Sequence, residues 1–270
     1  IPMLSKILPY MRCPKCTGVD LIQECDGLVC NGCRTRYPMR MGILDMLGNE
    51  TKEVITPFQR LMQSPPVVSI YEKIWRRIGY YIASSRSFGK EMNTVLQLAD
   101  NRDKDRGLDL ACGPGVFTRP LARRTRGIVV GLDLSWPMLR QAQTRMKKEG
   151  IPNILFVRAS AFSLPFIDHA IQYVNCCGAL HLFDRPEAAL KEVARVLDPE
   201  GFFSVQTTIR PERSAGIAYF LEKFIRFGFF DEKELKILLE THDFKLLQHE
   251  RHRISFTFLA EPAKGAFEKA

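Results

Sequence analysis

The stretch Leu108-Asp109-Leu110-Ala111-Cys112-Gly113-Pro114-Gly115 reads as a buried strand running into a glycine-rich turn, and Val116 to Arg126 reads as the helix behind it. Gly113 and Gly115 let backbone approach a ligand where a Cβ would collide. The N–H groups that open the next helix favour an anionic group in the turn. A second apolar strand follows, Ile128-Val-Val-Gly-Leu-Asp133-Leu134, and it carries a carboxylate 24 residues after Asp109. An acidic residue at the tip of the second strand is where doubly wound nucleotide sites grip two ribose hydroxyls, and Asp133 occupies that place.

Working outward, strand and helix alternate. Strands are expected at 108–112, 128–134, 153–158, 171–176 and 202–207, with helices at 116–126, 136–149 and 185–197. This period gives a parallel sheet with helices on both faces. Ser135 suits an N-cap with Pro137 in the first turn. A helix over Glu232 to Thr241 and two closing strands within Lys245 to Phe258 complete the pattern, and Glu91 to Leu98 is one more helix ahead of it.

The 270 residues suffice for one sizeable α/β core and a small accessory module. With 46% hydrophobic and 26% charged residues the composition is that of a globular protein. No apolar run is long enough to span a membrane, and Ile1 to Tyr10 lacks a signal-peptide pattern, so a cytoplasmic location is expected. The formal net charge is +9. Residues 1–90 hold 13 basic and 7 acidic residues against 26 and 23 in the remainder, an asymmetry that suits an anionic partner such as RNA.

Cys13-Pro-Lys-Cys16 and Cys30-Asn-Gly-Cys33 are two knuckles separated by thirteen residues. Four thiolates so spaced make a closed tetrahedral zinc site with no position left for water, hence a structural one. Such a centre is itself −2, which brings the charge nearer +7. Cys25 lies off the pattern. Together with Arg36-Tyr-Pro and Gly42-Ile-Leu-Asp-Met46, the knuckles resemble the small zinc-ribbon family that includes the activator subunit of tRNA and release-factor methyltransferases. That resemblance implies a docking or substrate-presenting module with a protein partner. Chelation is expected to unfold the first 48 residues and to leave the rest folded.

The resulting division is a zinc ribbon at 1–48, a linker with capping helices at 49–90, and a main domain at 91–270. Val68 to Tyr81 is expected to be an amphipathic helix. It either packs plainly on the main domain or brings Tyr71 and Trp75 over the cofactor.

Residues 90–260 resemble the class I S-adenosylmethionine-dependent methyltransferases, in particular their type 11 branch. The resemblance rests on Leu108 to Gly115, Val130 to Ser135 with Met138-Leu139, Ser163-Leu-Pro-Phe166, Gly178-Ala-Leu-His181, and Glu192 to Gly201. It implies a Rossmann-like, doubly wound, seven-stranded sheet and S-adenosylmethionine as cofactor. It also implies that Ala111, Gly113 and Gly115 line the methionine portion, with Asp109 supporting the turn and Asp133 on the ribose. Leu134 would pack on the adenine, with Ser160 and Ala161 at its edge. Cys176 and Cys177 would end the fourth strand near the methyl group, and His181 nearby is a candidate base, its alternative being structural. Two residues depart from the family pattern. Ser160 and Gln172 stand where carboxylates are usual, which keeps open a catalytically silent cofactor-binding scaffold.

The acceptor is read first as an rRNA or tRNA base, with a hydrophobic small molecule as the alternative. Arg119, Arg123, Arg124 and Arg126 could present a phosphate-binding face for an rRNA or tRNA base, or be an ordinary charged outer helix. The aromatic segment Ala215 to Phe230 could instead cap a hydrophobic, quinone-like or phenolic small molecule.

Overall fold

Why one continuous sheet forms is visible in the strand sequences. Ile128-Val-Val and Ile154-Leu-Phe-Val are apolar on both faces, the pattern of parallel strands covered by helices on either side. The computed structural model describes residues 2–47, 81, 83–98, 100–211 and 228–263. Of the expected helix at 68–81 only Tyr81 falls among them, so Tyr71 and Trp75 lie outside, as do the linker and residues 215–227 of the aromatic segment.

The N-terminal part comprises α1 (Pro2–Ile7) and strands β1 (Leu21–Glu24), β2 (Gly27–Cys30), β3 (Arg36–Arg40) and β4 (Ile43–Asp45). Then come α2 (Phe88–Leu98), β5 (Arg106–Leu110), α3 (Thr118–Arg124), β6 (Ile128–Asp133), α4 (Trp136–Lys148), β7 (Ile154–Arg158) and β8 (Ile171–Cys177). The chain continues with α5 (Pro186–Val196), β9 (Leu197–Thr208), α6 (Glu232–Thr241), β10 (Phe244–His252) and β11 (Ser255–Pro262). Ser135 caps α4 as expected, its hydroxyl accepting from Met138 N–H at 3.5 Å.

The strand order is β1-β2-β3-β4-β7-β6-β5-β8-β9-β11-β10. Strands β4 to β9 of the middle are parallel, and β11 returns antiparallel between β9 and β10. The sheet has eleven strands: β5 to β11 supply seven, and β1 to β4 of the N-terminal part add four more. The junction is β4, whose Ile43-Leu44-Asp45 pairs in parallel with Phe156-Val157-Arg158 of β7 and so covers what would otherwise be an open edge.

Helices α2, α3 and α4 pack with Val129, Phe156 and Tyr173 on one face. Helices α1, α5 and α6 pack with Leu108, Val130, Val174 and Phe203 on the other. That second cluster also contains Cys13, Leu28, Cys30 and Tyr37, so the cysteine-bearing hairpins share a hydrophobic core with the parallel sheet.

Candidate functional site

The site grows from the end of β5. Ala111, Gly113 and Gly115 all have positive φ, at 53°, 55° and 72°, a conformation that costs Ala and is free to Gly. The two glycines serve different ends. A Cβ on Gly113 would meet nothing within 4 Å, so this position faces open space. A Cβ on Gly115 would lie 3.1 Å from Ala142 Cβ, so this one admits α4. Gly113 N–H donates to Asp133 Oδ2 at 2.8 Å, which ties the turn to the tip of β6.

Asp133 also accepts from Ser135 N–H at 2.8 Å through Oδ1. Burial raises its pKa, and the backbone N–H groups of Ser135, Gly113 and Leu134 oppose that rise. Each carboxylate oxygen offers two lone-pair directions, so the carboxylate can still accept from two hydroxyls.

Asp109 is held under the turn. Thr118 Oγ1 donates to its Oδ2 at 2.5 Å and Asn175 Nδ2 to its Oδ1 at 2.6 Å. Asn175 Oδ1 in turn accepts from Ser204 Oγ at 3.1 Å and Cys177 Sγ at 3.2 Å. This buried network fixes the ends of β5, β8 and β9 to one another. Sequence reading missed Asn175 and Thr118, because only the register that places Asp109 opposite Asn175 makes them partners.

Ser160 and Ala161 lie in the loop after β7. Ala159 N–H donates to Asp133 O at 3.3 Å, so this loop abuts the tip of β6. Ser160 Oγ accepts from Phe162 N–H at 3.0 Å, and Ala161 is buried. Leu134 is half-buried, and its carbonyl accepts from Arg158 Nε at 3.0 Å. The turn, Asp133, Leu134 and Ser160-Ala161 are thus neighbours at one end of the sheet.

Cys176 and Cys177 end β8 as expected. The Cys176 thiol belongs to the core cluster on the Val174 face, where burial and then the Asp109 charge push its pKa up, and Cys177 Sγ donates to Asn175 Oδ1. Gln172 sits at the start of β8, and its Oε1 accepts from the N–H groups of Asp105 and Arg106 at 2.7 and 3.1 Å. Five residues of extended chain, roughly 16 Å, separate it from Cys177. The departure at Gln172 therefore touches strand entry and not the site.

His181 lies in a 3₁₀ turn (Leu180–Leu182), with Nδ1 3.3 Å from Thr207 Oγ1. Burial lowers its pKa to about 3, so the ring is neutral at physiological pH. Taking up a proton there means charging a desolvated ring, which disfavours the base role. Glu91 on α2, unremarked in the sequence, is a buried carboxylate that accepts from Ser255 Oγ at 3.4 Å and faces Arg86 Nε at 3.9 Å.

Three of the four arginines on and after α3 are committed to neighbours. Arg119 is buried against Glu149 at 2.9 Å and donates to Pro114 O, Arg123 reaches the same Glu149, and Arg126 pairs with Asp105 at 2.6 Å. With three of the four charges matched, the phosphate-binding face considered from sequence is reduced.

The sulfurs of Cys13, Cys16, Cys30 and Cys33 all lie within 4.8 Å of one another, the one such group among the described residues. Cys13 and Cys33 are 3.6 Å apart, and Cys16 and Cys30 3.5 Å. A tetrahedron with metal–sulfur bonds of about 2.3 Å has edges of about 3.8 Å, so the four thiols fit zinc. Tyr37 Oη lies 2.9 Å from Cys13 Sγ, an outer contact of the kind that orients a ligand. No helix among the described residues is long and apolar enough to cross a membrane.

Residues 108–201 match the family model of a methyltransferase domain. An uncharacterized chloroplastic methyltransferase of Arabidopsis thaliana is 29% identical over 222 residues, covering 74% of this chain and 61% of that protein. A demethylmenaquinone methyltransferase of Bacillus pumilus is 29% identical over 150 residues, covering 54% of this chain and 64% of that protein. The solved structure of a SAM-dependent methyltransferase from Aquifex aeolicus superposes with a TM-score of 0.59 at 18% identity, over 74% of this chain and 99% of that one. The chain spans less than two thirds of the length of both curated relatives. Residues 108–201 are thus similar to a methyltransferase domain, and the chain shares the Rossmann-like α/β fold of that solved structure.

Proposed function

We propose that this chain transfers a methyl group from S-adenosylmethionine to a small acceptor bearing an aromatic ring. The observation that carries the cofactor reading is the juxtaposition of Gly113, open where a side chain would stand, with the Asp133 carboxylate bonded to its N–H. Gly113 would pass the methionine portion, Asp133 would accept from the ribose hydroxyls, and Leu134 with Ser160-Ala161 would frame the adenine. The cofactor supplies an activated methyl on a sulfonium. The protein's part is positioning: the Asp109–Asn175–Ser204 network makes the floor rigid, so that an acceptor atom can be held in line.

His181, neutral and buried, holds the 3₁₀ turn to β9 in this reading and takes no proton. An acceptor that ionises readily, such as a phenol or hydroquinone, needs no strong base from the chain. That chemistry agrees with a relative named for demethylmenaquinone methylation, and the pairing of Arg119, Arg123 and Arg126 with carboxylates weakens the RNA reading. In the division inferred here, residues 1–48 form a structural zinc ribbon held by Cys13, Cys16, Cys30 and Cys33, and 91–270 the cofactor-binding part. A protein partner docking on the ribbon fits the same reading.

Calorimetric titration of the zinc-loaded protein with S-adenosylmethionine and S-adenosylhomocysteine tests the central point. Micromolar binding is expected, followed by methylation of reduced naphthoquinones or phenols in a screen that also contains ribosomal and transfer RNA. Absence of binding overturns the cofactor reading, and methylation of RNA alone overturns the acceptor class.

A further inference from the structure

Two separate struts run from the cysteine-bearing part to the two residues proposed to border the adenine. The first begins at the knuckle itself. Residues 10–14 run antiparallel along 163–167: Ile167 N–H donates to Tyr10 O at 3.0 Å, Arg12 N–H donates to Pro165 O at 3.1 Å, and Ser163 Oγ donates to Pro14 O at 3.4 Å. Pro14 lies between the ligand candidates Cys13 and Cys16. On its other side the 163–168 segment is gripped by α5, where Glu192 accepts from Leu164 N–H and Arg195 donates to the carbonyls of Leu164 and Phe166. The half-buried Arg12 guanidinium closes this clamp, 3.6 Å from Glu192 and 3.8 Å from Asp168. Ala161 is two residues from Ser163, at most about 8 Å along the chain.

The second strut is the β4–β7 seam. Asp45 meets Arg158 at 3.3 Å, Met46 N–H donates to Arg158 O at 2.8 Å, and Arg158 Nε donates to Leu134 O. Leu134 follows directly on Asp133. Both walls of the adenine pocket therefore rest on the element that carries the four cysteines, one through Pro14–Ser163 and one through Asp45–Arg158.

We infer that the metal-bound ribbon is a positioning element of the cofactor pocket, so that zinc occupancy and cofactor affinity are coupled. This rests on the cofactor reading given above. Filling the four-cysteine site fixes Cys13 to Cys16, and with them Pro14 and the start of the loop that holds Ala161. Losing the metal frees that anchor and loosens the pocket at its base end. Coupling is reciprocal, so a ligand in the pocket must also hold the metal more firmly.

The test uses the zinc-loaded wild-type chain and needs no variant. Zinc transfer to a colorimetric chelator is timed with and without saturating S-adenosylhomocysteine and, separately, 5′-methylthioadenosine, which lacks the amino-acid end. Slowing of at least threefold by both ligands is expected, since the strut reaches the base and not the methionine. Unchanged release in the presence of a ligand shown by calorimetry to bind overturns the inference and leaves the cofactor reading standing. Failure of both ligands to bind overturns the two together. A second measurement separates positioning from plain stability. Asp45→Asn keeps the shape of the seam and removes its charge, and it is expected to weaken both ligands about threefold or more at a temperature where the variant is fully folded. Equal affinity with a merely lowered melting temperature assigns the seam to stability alone and overturns its part in the pocket.

Discussion

At the scale of single residues, the sequence brings side chains together correctly where the geometry is local. Asp109, Gly113 and Asp133 are legible because a strand–turn–helix and the next strand tip fix them over a short stretch of chain. Asp133→Ala is expected to weaken S-adenosylhomocysteine at least tenfold, since a carboxylate accepting from hydroxyls contributes roughly 1.5–3 kcal/mol. Calorimetry checks it, and an unchanged affinity removes Asp133 from the site. The roles of His181 and Cys176 were not legible, because burial decides their chemistry and is set by the assembled sheet. The His181 pKa, near 6.5 when unfolded and about 3 when folded, gives a sign. Between those values the unfolded chain binds a proton that the folded chain refuses, so stability falls as pH drops from 6.5 toward 3. His181→Gln is expected to flatten that part of the stability profile, measured by urea unfolding at pH 7 and 4.5. An unaltered slope contradicts the buried, neutral ring.

Elements are where alternation of apolar strands and amphipathic helices made the sequence most readable, and strands β5 to β8 fall within two residues of expectation. What alternation does not reveal is which side chain fills the space beside a glycine. A Cβ on Gly107 would fall 2.1 Å from Tyr173 Cζ, because β8 lies beside β5 and its tyrosine lies across the glycine. The Tyr173 hydroxyl is fixed there by Thr125 at 2.6 Å and Asn101 at 3.1 Å, so the ring has little freedom to withdraw. Gly107→Ala is therefore expected to destabilise the fold by about 1–3 kcal/mol, the usual cost of overpacking. Denaturant midpoints check this. Because Tyr173 and Gly107 lie toward the strand entries, cofactor affinity in the folded fraction should be retained. The same reasoning removes Gln172 from suspicion: residue type alone suggested a lost carboxylate, whereas the strand direction puts its side chain at the far end.

For the molecule as a whole, the two knuckles were legible from spacing, but their attachment was not. Nothing local in Ile43-Leu44-Asp45 announces a parallel partner more than a hundred residues away, since such pairing is chosen by the finished sheet. From spacing alone the ribbon would unfold by itself on chelation. The structure changes that expectation. Leu28, Cys30 and Tyr37 pack in one cluster with residues of the main sheet such as Leu108, Val130 and Val157, and β4 seals the β7 edge. Freed of metal, the hairpins lose the bonds that fold them, as small zinc modules do. The loss then exposes the apolar side chains of β7 and α1 and opens a parallel edge, so the main domain must weaken with it. Calorimetric melting after verified zinc removal is expected to show the principal transition moved down by several degrees, about 2–4 °C for each kcal/mol in a chain of this size. A small early transition with the principal one unmoved would mean that the two parts fold separately despite their shared core.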